Sequence, residues 1–202
     1  MSVHDLRYVK TEELIRKAFL SCCAEHTIEE IHTKDICAKA RISRNAFYGH
    51  YENKYQLLDA VYADVQKNML ADLTAEIISC LSKDGMHGVC EWCIRSVSRN
   101  RDLLKILAKS SEHHFRNMIR TVFIDSTLEA VFTNIHLIDE NPVLILSRNY
   151  IVDGLTSVIL TWFNEAEEAD EQTLVNHLYE ISHLSAAYFY RQLDHTPGIS
   201  RR

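Results

Sequence analysis

The sequence predicts an all-α protein, and three observations lead to that prediction. Apolar residues recur every three or four positions through most of the 202 residues, which is the period of an amphipathic helix. Glycine and proline are scarce, at 5 and 2, so few turn-forming residues are available for a multistranded sheet. The chain is long enough to bury a substantial core, and we expect about nine helices.

Charge is distributed unevenly along the chain and predicts two domains. The formal net charge is −6, but residues 1–56 carry +1 and the remainder carries −7. The overall negative charge argues against a general nucleic-acid binder, whereas a near-neutral segment on an acidic body suits a protein that contacts DNA through one face. We expect an N-terminal three-helix domain over residues 1–56 and a helical domain over residues 57–202.

The first helix is expected from Arg7 to about His26. Five residues at helical spacing should form its buried stripe: Leu14, Ile15, Ala18, Phe19 and Cys22. Residues 27–32 then form a connector. Two short helices joined by a tight turn follow. Thr33 is a residue type that favours the N-cap of the first, Arg41-Ile42-Ser43 forms the turn, and Ser43 can cap the second.

The second short helix, from Arg44 to about His50, should separate packing side chains from exposed ones. Phe47 and Tyr51 are four residues apart and share a face, so both are expected to point inward. Four other side chains can donate hydrogen bonds to phosphates or base edges: Arg44, Asn45, Tyr48 and His50. A helix, a turn and a donor-rich helix in this order predict a helix-turn-helix DNA-binding unit.

A long helix is expected next, from about Lys54 to Ser82, with Asn53 as its N-cap. Lys54 places a cation in the first turn, where it opposes the helix dipole. A phosphate bound at this end of the helix would remove the conflict. An apolar stripe continues down this helix and connects the two domains: Leu58, Val61, Val65, Met69, Leu73 and Ile77.

Three further helices are expected over about 86–99, 102–108 and 110–134, the last with Phe115, Met118, Ile119, Val122 and Phe123 inward. Asn141-Pro142 opens the next helix, because proline is favoured at the first helical position. That helix, to about Asn164, is apolar on more than one side. The last helix spans about Gln172 to Leu193, and the tail from Asp194 is expected to fray.

Surplus apolar surface on these last two helices predicts a twofold dimer that forms a four-helix bundle. The alternative is a monomer that buries both helices in itself. The expected interface residues are Gly154, Leu155, Val158, Trp162, Leu178, Ile181 and Ser185.

Other constellations point away from an enzyme. No G-x-S-x-G, H-E-x-x-H or phosphate loop is present, so we expect neither catalysis nor a cofactor. Cys90 and Cys93 form one CxxC pair, which invites a thiol or metal sensor. Core packing is favoured instead, because there is no second pair and both lie on an apolar stripe. No apolar run suggests a membrane span or a signal peptide, so we expect a cytoplasmic protein with reduced thiols.

One stretch carries a specific family resemblance, which runs from Thr33…Ile36-Cys37 through Ala40-Arg41-Ile42-Ser43-Arg44…Phe47-Tyr48-Gly49-His50-Tyr51 to Asn53-Lys54…Leu57. It resembles the DNA-binding domain of TetR-family transcriptional regulators. Two positions depart from the family pattern. Arg41 stands where members usually have glycine, and an arginine with positive φ is mildly strained. Asn45-Ala46 stands where members often have Gly-Thr, which changes the bases that can be read.

The resemblance implies a homodimeric repressor that binds a palindromic DNA operator and is released by an unknown small-molecule effector. The implied DNA contacts are Thr33, Ser43, Arg44, Asn45, Ala46, Tyr48, His50 and Lys54, with Thr33 and Lys54 on phosphates. An effector cavity is implied in the second domain, with candidates Tyr62, Trp92, His113, Phe115, Asn117, Arg148, Tyr150 and Asp153. A co-activator that binds a small molecule and a protein partner stays open as an alternative.

Overall fold

The computed structural model describes residues 3–83, 85–165 and 168–201, with side chains except at 3–5, 72–83 and 130–131. The all-α prediction is confirmed. The α-helices in these ranges are α1 Val3–Cys23, α2 Thr33–Ala40, α3 Arg44–Tyr48, α4 Lys54–Lys83, α5 Gly85–Arg99, α6 Arg101–Ser110, α7 Glu112–Ile119, α8 Ser126–Val131, α9 Pro142–Asn164 and α10 Glu171–Asp194. A π-helical segment (Arg120–Asp125), a 3₁₀ turn (Ile135–Glu140) and the two-residue strands β1 (Phe132–Thr133) and β2 (Ser200–Arg201) complete the chain.

The chain folds into two compact units. The first consists of Met1–Val65 and Asp102–Phe115, and the second of Gln66–Arg101 and Arg116–Arg202. The first unit therefore contains the start of α4 and a later segment, in addition to the three N-terminal helices. The division into domains 1–56 and 57–202 stays a prediction.

Most of the predicted inward residues of α1 lie in the core of the first unit. Ile15 and Phe19 are fully buried, but Leu14 is 49% exposed, and its predicted burial is wrong. On a helix with 3.6 residues per turn, Leu14 lies roughly a quarter turn from the centre of the buried stripe. The stripe of α4 is buried as expected from Leu58 to Met69, while the side chains of Leu73 and Ile77 lie outside the described set.

The second unit is built around α10, which packs against α5 and α9. The helix predicted over 110–134 is interrupted: α7 passes into the π-helical segment, then α8, and ends before β1. Its predicted inward residues are nevertheless buried, and Val122 and Phe123 lie in the π-helical segment. Asn141 opens α9 as predicted, because its side-chain oxygen accepts hydrogen bonds from the backbone of Val143 and Leu144.

The C-terminal tail is ordered, so the prediction that it frays is wrong. β2 pairs antiparallel with β1, Phe132 facing Arg201 in the register. Ile199 is buried, and the Arg201 guanidinium donates to both carboxylate oxygens of Asp194 at 2.9 and 2.7 Å. These contacts hold the tail against the second unit.

By length and composition alone, α9 could cross a membrane. It is also a packed helix of the second unit, with Arg148 and Trp162 among its buried residues. A core helix meets the same test, so length and composition do not by themselves identify a membrane span.

Candidate nucleic-acid interface

The turn between α2 and α3 is the tight, left-handed turn that the sequence predicts. Arg41 has φ 56° and ψ 44°, and its backbone N–H donates to the carbonyl of Ala38 at 3.2 Å. The next N–H, of Ile42, donates to the carbonyl of Cys37 at 3.1 Å. Both bonds satisfy carbonyls at the end of α2, as a left-handed C-terminal cap does. Arginine in this conformation is strained by about 1–2 kcal/mol.

α3 is short and is fixed at both ends. Ser43 caps it as predicted, since its hydroxyl oxygen accepts a hydrogen bond from the N–H of Ala46 at 3.1 Å. Phe47 is fully buried and Tyr51 is 6% exposed, so both anchor the helix from beneath. α3 ends at Tyr48, two residues before the predicted end.

Three predicted DNA-contacting side chains are exposed together on α3: Arg44, Asn45 and Tyr48. Tyr48 is the most informative, because a large aromatic side chain is left 54% exposed while its neighbour Phe47 is fully buried. The remaining members of the predicted set on this helix and its cap are Ser43, which is exposed, and Ala46, which is half-buried.

Thr33 is not an N-cap, and that prediction is wrong by one residue. α2 begins at Thr33, and His32 occupies the cap position without a side-chain bond. Thr33 is half-buried, and Asp35 supplies the negative charge in the first turn. Its hydroxyl is therefore not used to cap α2.

His50 departs from the expected outward position. Its ring stacks on Tyr8 of α1 with centroids 3.9 Å apart, and Nδ1 is buried without a hydrogen-bond partner. Burial lowers the pKa of His50, with the Glu12 carboxylate acting in the opposite direction. The imidazole is consequently neutral at pH 7, so any contact with DNA would be a hydrogen bond and not an ion pair.

Lys54 lies at the start of α4, where Asn53 caps the helix as predicted by accepting from the N–H groups of Tyr55 and Gln56. The ammonium donates to the backbone carbonyls of Glu29 and Ile31 at 3.1 and 2.8 Å. These carbonyls satisfy the cation without a phosphate and connect α4 to the segment before α2. An ammonium has three donors, so one remains for a phosphate.

Sequence reasoning missed the part of α1 that supports this surface. The Tyr51 hydroxyl donates to Glu12 at 3.0 Å, and Arg16 donates to the same carboxylate oxygen at 3.0 Å. Arg16 also pairs with Asp64 of α4. Tyr8, Glu12 and Arg16 are spaced four apart, so their common face was visible in the sequence.

The predicted effector contacts do not form one site. Tyr62 and His113 belong to the first unit, and the Tyr62 hydroxyl is already donated to the carbonyls of Leu107 and Ser111. In the second unit Trp92 is buried, Asn117 half-buried and Tyr150 exposed. Arg148 forms an ion pair with Asp139, and Asp153 forms one with Arg116. The charges of Arg148 and Asp153 are therefore neutralised within the protein. Phe115 is fully buried in the first unit.

The cavity that the structure shows in the second unit is lined by other residues. It lies between α5, the π-helical segment with α8, α9 and α10: Met86, Val89, Cys90, Cys93, Phe123, Ile124, Thr127, Leu128, Ile151, Leu155, Leu178, Ser182, Ala186, Phe189 and Tyr190. Cys90 and Cys93 are both buried, as core packing predicts. Among the described residues, no group of three or more His, Cys, Asp and Glu could hold a metal ion.

Three of the predicted interface residues are covered by their own chain. Leu155, Trp162 and Leu178 are at most 6% exposed in the single chain, and their place in an interface stays a prediction. Gly154 and Ile181 are exposed, and Val158 and Ser185 are half-buried. The apolar side chains that do reach solvent on α9 and α10, here called the α9–α10 face, are Val143, Leu146, Tyr150, Ile181, Leu184 and Tyr188.

Comparison with known proteins assigns the helix-turn-helix. Residues 15–61 match the family model of bacterial regulatory proteins, tetR family. The chain is also 22% identical over 183 residues to an uncharacterized HTH-type transcriptional regulator, YxbF, of Bacillus subtilis (strain 168). The helix-turn-helix segment of the chain is therefore similar to the DNA-binding domain of the TetR family. The members of this family are transcription factors and not enzymes.

Solved TetR structures share the fold along most of the chain. A TetR transcriptional regulator from Streptococcus agalactiae 2603V aligns with a TM-score of 0.64 at 18% identity, covering 89% of this chain and 97% of that one. NalD, the secondary repressor of the MexAB-OprM multidrug efflux pump in Pseudomonas aeruginosa, aligns with 0.56 at 19%, covering 88% and 97%. The alignment with YxbF covers 89% of this chain but 46% of YxbF, so the chain spans about half of that relative.

Proposed function

We propose that this chain is a TetR-family, homodimeric, sequence-specific DNA-binding transcriptional regulator of the cytoplasm, acting as a repressor that a small-molecule effector releases. The observation that carries the proposal is the outward display of Arg44, Asn45 and Tyr48 on a helix fixed by Ser43 and Phe47. A recognition helix needs rigid support on one side and hydrogen-bond donors on the other.

The roles of these residues follow from their chemistry. Arg44 and Asn45 can each form two hydrogen bonds with a purine edge in the major groove. Tyr48 can donate to a phosphate or contact a thymine methyl group. Ser43 and Thr33 lie at helix starts, where phosphates bind favourably, whereas the N–H of Ala46 is already donated to the Ser43 hydroxyl. Lys54 and His50 complete the predicted set of DNA contacts. Lys54 can offer its remaining ammonium N–H to a phosphate, and His50 can offer a hydrogen bond from its neutral imidazole.

Dimerisation is supported by the α9–α10 face. Leu146, Tyr150 and Leu184 are 70%, 68% and 71% exposed, and Ser147, Ser185 and Tyr188 line the same shallow groove. Large apolar side chains clustered at a surface indicate a protein interface. A second copy of the same face would bury them in a four-helix arrangement about a twofold axis. Two recognition helices would then read a palindromic operator whose half-sites are about 34 Å apart.

Release of DNA by an effector is a population shift. An effector that binds more tightly to a form whose recognition helices do not match the groove spacing lowers operator occupancy. In a co-activator, by contrast, operator binding would rise or stay constant when the effector is added. A fall in operator affinity on addition of the effector therefore indicates a repressor, and a rise or no change indicates a co-activator.

The test is selection of genomic DNA fragments by the purified protein, followed by affinity measurements at a fixed salt concentration. We expect one palindromic site to be enriched. Arg44→Ala and Tyr48→Ala should each weaken binding to that site by at least about fivefold, because a specific base contact contributes about 1–3 kcal/mol.

Arg191→Ala, which removes an exposed arginine of α10, is the matched control and should leave the affinity unchanged. Absence of any enriched sequence at low salt would reject the function. Equal losses for Arg44→Ala and Arg191→Ala would reject the assignment of α3 as the reading element.

A further inference from the structure

The cavity of the second unit is bounded by helices whose facing side chains are almost entirely apolar. Val89 of α5, Phe123 of the π-helical segment, Leu155 of α9 and Phe189 of α10 represent its four walls. Its volume is about 70 Å³. A single water needs about 10–15 Å³ by a comparable measure, so the space is several times larger than one water requires. Apolar walls give water few partners, and such a cavity favours an apolar guest.

The polar groups in the walls are uncharged at neutral pH. Burial raises the pKa of the Cys90 thiol to about 11 and that of the Tyr190 hydroxyl to about 12. The Thr127 hydroxyl donates to the carbonyl of Phe123 at 2.7 Å and is therefore committed to its own helix. Because the Cys90 and Cys93 thiols are weak donors, the hydroxyls of Ser182 and Tyr190 are the strongest remaining wall groups for a hydrogen bond to a ligand.

Three charged residues on the same elements, Arg120, Asp125 and Arg148, form ion pairs. Arg148 donates to Asp139 at 2.5 Å and lies 3.9 Å from Asp125, which in turn lies 3.7 Å from Arg120. These side chains are not part of the cavity wall. A charged ligand would therefore enter a space without a counter-ion, and burying an unpaired charge is strongly unfavourable.

The π-helical segment shapes the wall. One residue more per turn changes the direction of the side chains that follow it, and Phe123 and Ile124 of this segment both line the cavity. Segments of this kind occur frequently at functional sites. Phe123 also contacts Trp92, with ring centroids 5.1 Å apart, which places an intrinsic fluorophore directly behind the wall.

We propose that this cavity binds a small, uncharged, predominantly apolar molecule, held by carbon contacts and one hydrogen bond to Ser182 or Tyr190. Met86, a flexible and half-buried side chain of the wall, allows the space to adapt to the ligand. The claim that the ligand is an effector rests on the regulator function proposed above. The claim that the cavity binds a ligand does not depend on DNA binding.

The experiment uses three probes with the same eight-carbon tail: octan-1-ol, octanoate and octylammonium. Trp162→Phe leaves Trp92 as the reporter, since the chain has two tryptophans. We expect octan-1-ol to change its fluorescence saturably, and both ions to bind at least about 30-fold more weakly. Octan-1-ol should also slow alkylation of Cys90 and Cys93 by N-ethylmaleimide, because both thiols face the cavity.

Two neighbouring alanines of α10 provide matched variants. Ala186 is buried in the wall and Ala187 is exposed, so Ala186→Leu should abolish binding and Ala187→Leu should leave it unchanged. The double variant Ser182→Val with Tyr190→Phe is a second test of the wall if Ala186→Leu does not fold, and it should weaken binding because it removes both hydroxyls. Equal affinity for octanoate, no binding of octan-1-ol, or equal effects of the two alanine variants would overturn the proposal.

Operator affinity measured with and without octan-1-ol separates the two proposals. If octan-1-ol binds as expected but the operator affinity does not change, the cavity is a ligand-binding site and its role in DNA release is rejected. Loss of sequence-specific DNA binding in the absence of any ligand would instead reject the regulator function and leave the cavity result standing.

Discussion

The hydroxyl of Tyr51 donates a 3.0 Å hydrogen bond to Glu12 Oε1, which joins the end of the recognition segment to α1. Arg16 donates to the same oxygen at 3.0 Å and reaches the carbonyl of Ala60 in α4 at 3.4 Å. The Glu12–Arg16 pair of α1 thus connects three elements of the first unit. The recognition helix is held by this polar network in addition to the burial of Phe47.

Removing the Tyr51 hydroxyl should lower stability measurably. Tyr51→Phe keeps the ring and loses one hydrogen bond to a charged group, so we expect the free energy of unfolding to fall by about 1–2 kcal/mol in urea denaturation. The control Tyr55→Phe changes a tyrosine that is 49% exposed. Its effect on the free energy of unfolding should be smaller than the experimental error. Equal effects of the two variants would show that the bond to Glu12 is not stabilising.

The Glu12 carboxylate should make stability depend on acid pH. Burial acts to raise its pKa, but the hydrogen bonds from Tyr51 and Arg16 together outweigh burial and lower it below the ordinary 4.5. The folded state therefore favours the ionised form. The associated stability is fully present above about pH 4.5 and is lost as pH falls through the lower folded-state pKa.

Comparison of the wild type with Glu12→Gln tests this dependence. Urea unfolding between pH 7 and pH 3 should show a stability difference that shrinks as the pH falls below 4.5, because the protonated carboxyl and the amide are similarly uncharged. A difference that stays constant over this range would contradict a lowered pKa.

The two helix starts near the turn should respond differently to truncation. Ser43→Ala removes the hydrogen bond to Ala46 and should reduce the free energy of unfolding by about 1 kcal/mol. Thr33→Ala removes a hydroxyl that caps nothing, and its effect should be clearly smaller. Chemical denaturation of the two variants measures this difference. A larger loss of unfolding free energy for Thr33→Ala than for Ser43→Ala would contradict the observed caps.

Arg41→Gly should stabilise the first unit. Glycine adopts φ 56° without the strain of about 1–2 kcal/mol that a side chain meets there, while the unfolded chain gains about 0.5–1 kcal/mol of entropy. We expect a net gain of roughly 0.5–1 kcal/mol. Arg44→Gly, inside α3, should destabilise. Destabilisation by Arg41→Gly would show that the arginine side chain makes a compensating interaction.

The α9–α10 face can be tested by introducing one charge. Leu184→Asp places a carboxylate at a residue that is 71% exposed in the single chain, and should convert a dimer to a monomer in analytical ultracentrifugation. Leu6→Asp, at a leucine of α1 that is 46% exposed, should leave the dimer intact. A wild-type protein that is monomeric at micromolar concentration would reject the interface.

Local signals in the sequence predicted the elements well, while positions set by tertiary packing were not accessible. Asn53 and Ser43 were identified as caps because capping depends on neighbours in the chain. The assignment of Thr33 was one residue off because His32 provides no competing side-chain signal. α9 is apolar all round, so its pattern could not distinguish buried Leu155 from exposed Leu146. The predicted interface therefore includes residues of α9 that are buried in the single chain.

Long-range contacts account for the remaining differences. The stacking of His50 on Tyr8 joins residues 42 positions apart, and the pairing of β1 with β2 brings the chain end back to Phe132. Neither has a periodic signal. The cavity is likewise formed by four helices at once, and its members lie on apolar stripes that look the same as ordinary core.

The small size of α3 has a consequence for the evolution of this protein. Its folding depends on Ser43 and Phe47, whereas the side chains of Arg44, Asn45 and Tyr48 extend into solvent. Substitution at these three positions changes the surface offered to DNA with little effect on the stability of the first unit. Gene duplication followed by drift at three codons could therefore redirect such a regulator to a new promoter without first passing through an unfolded ancestor.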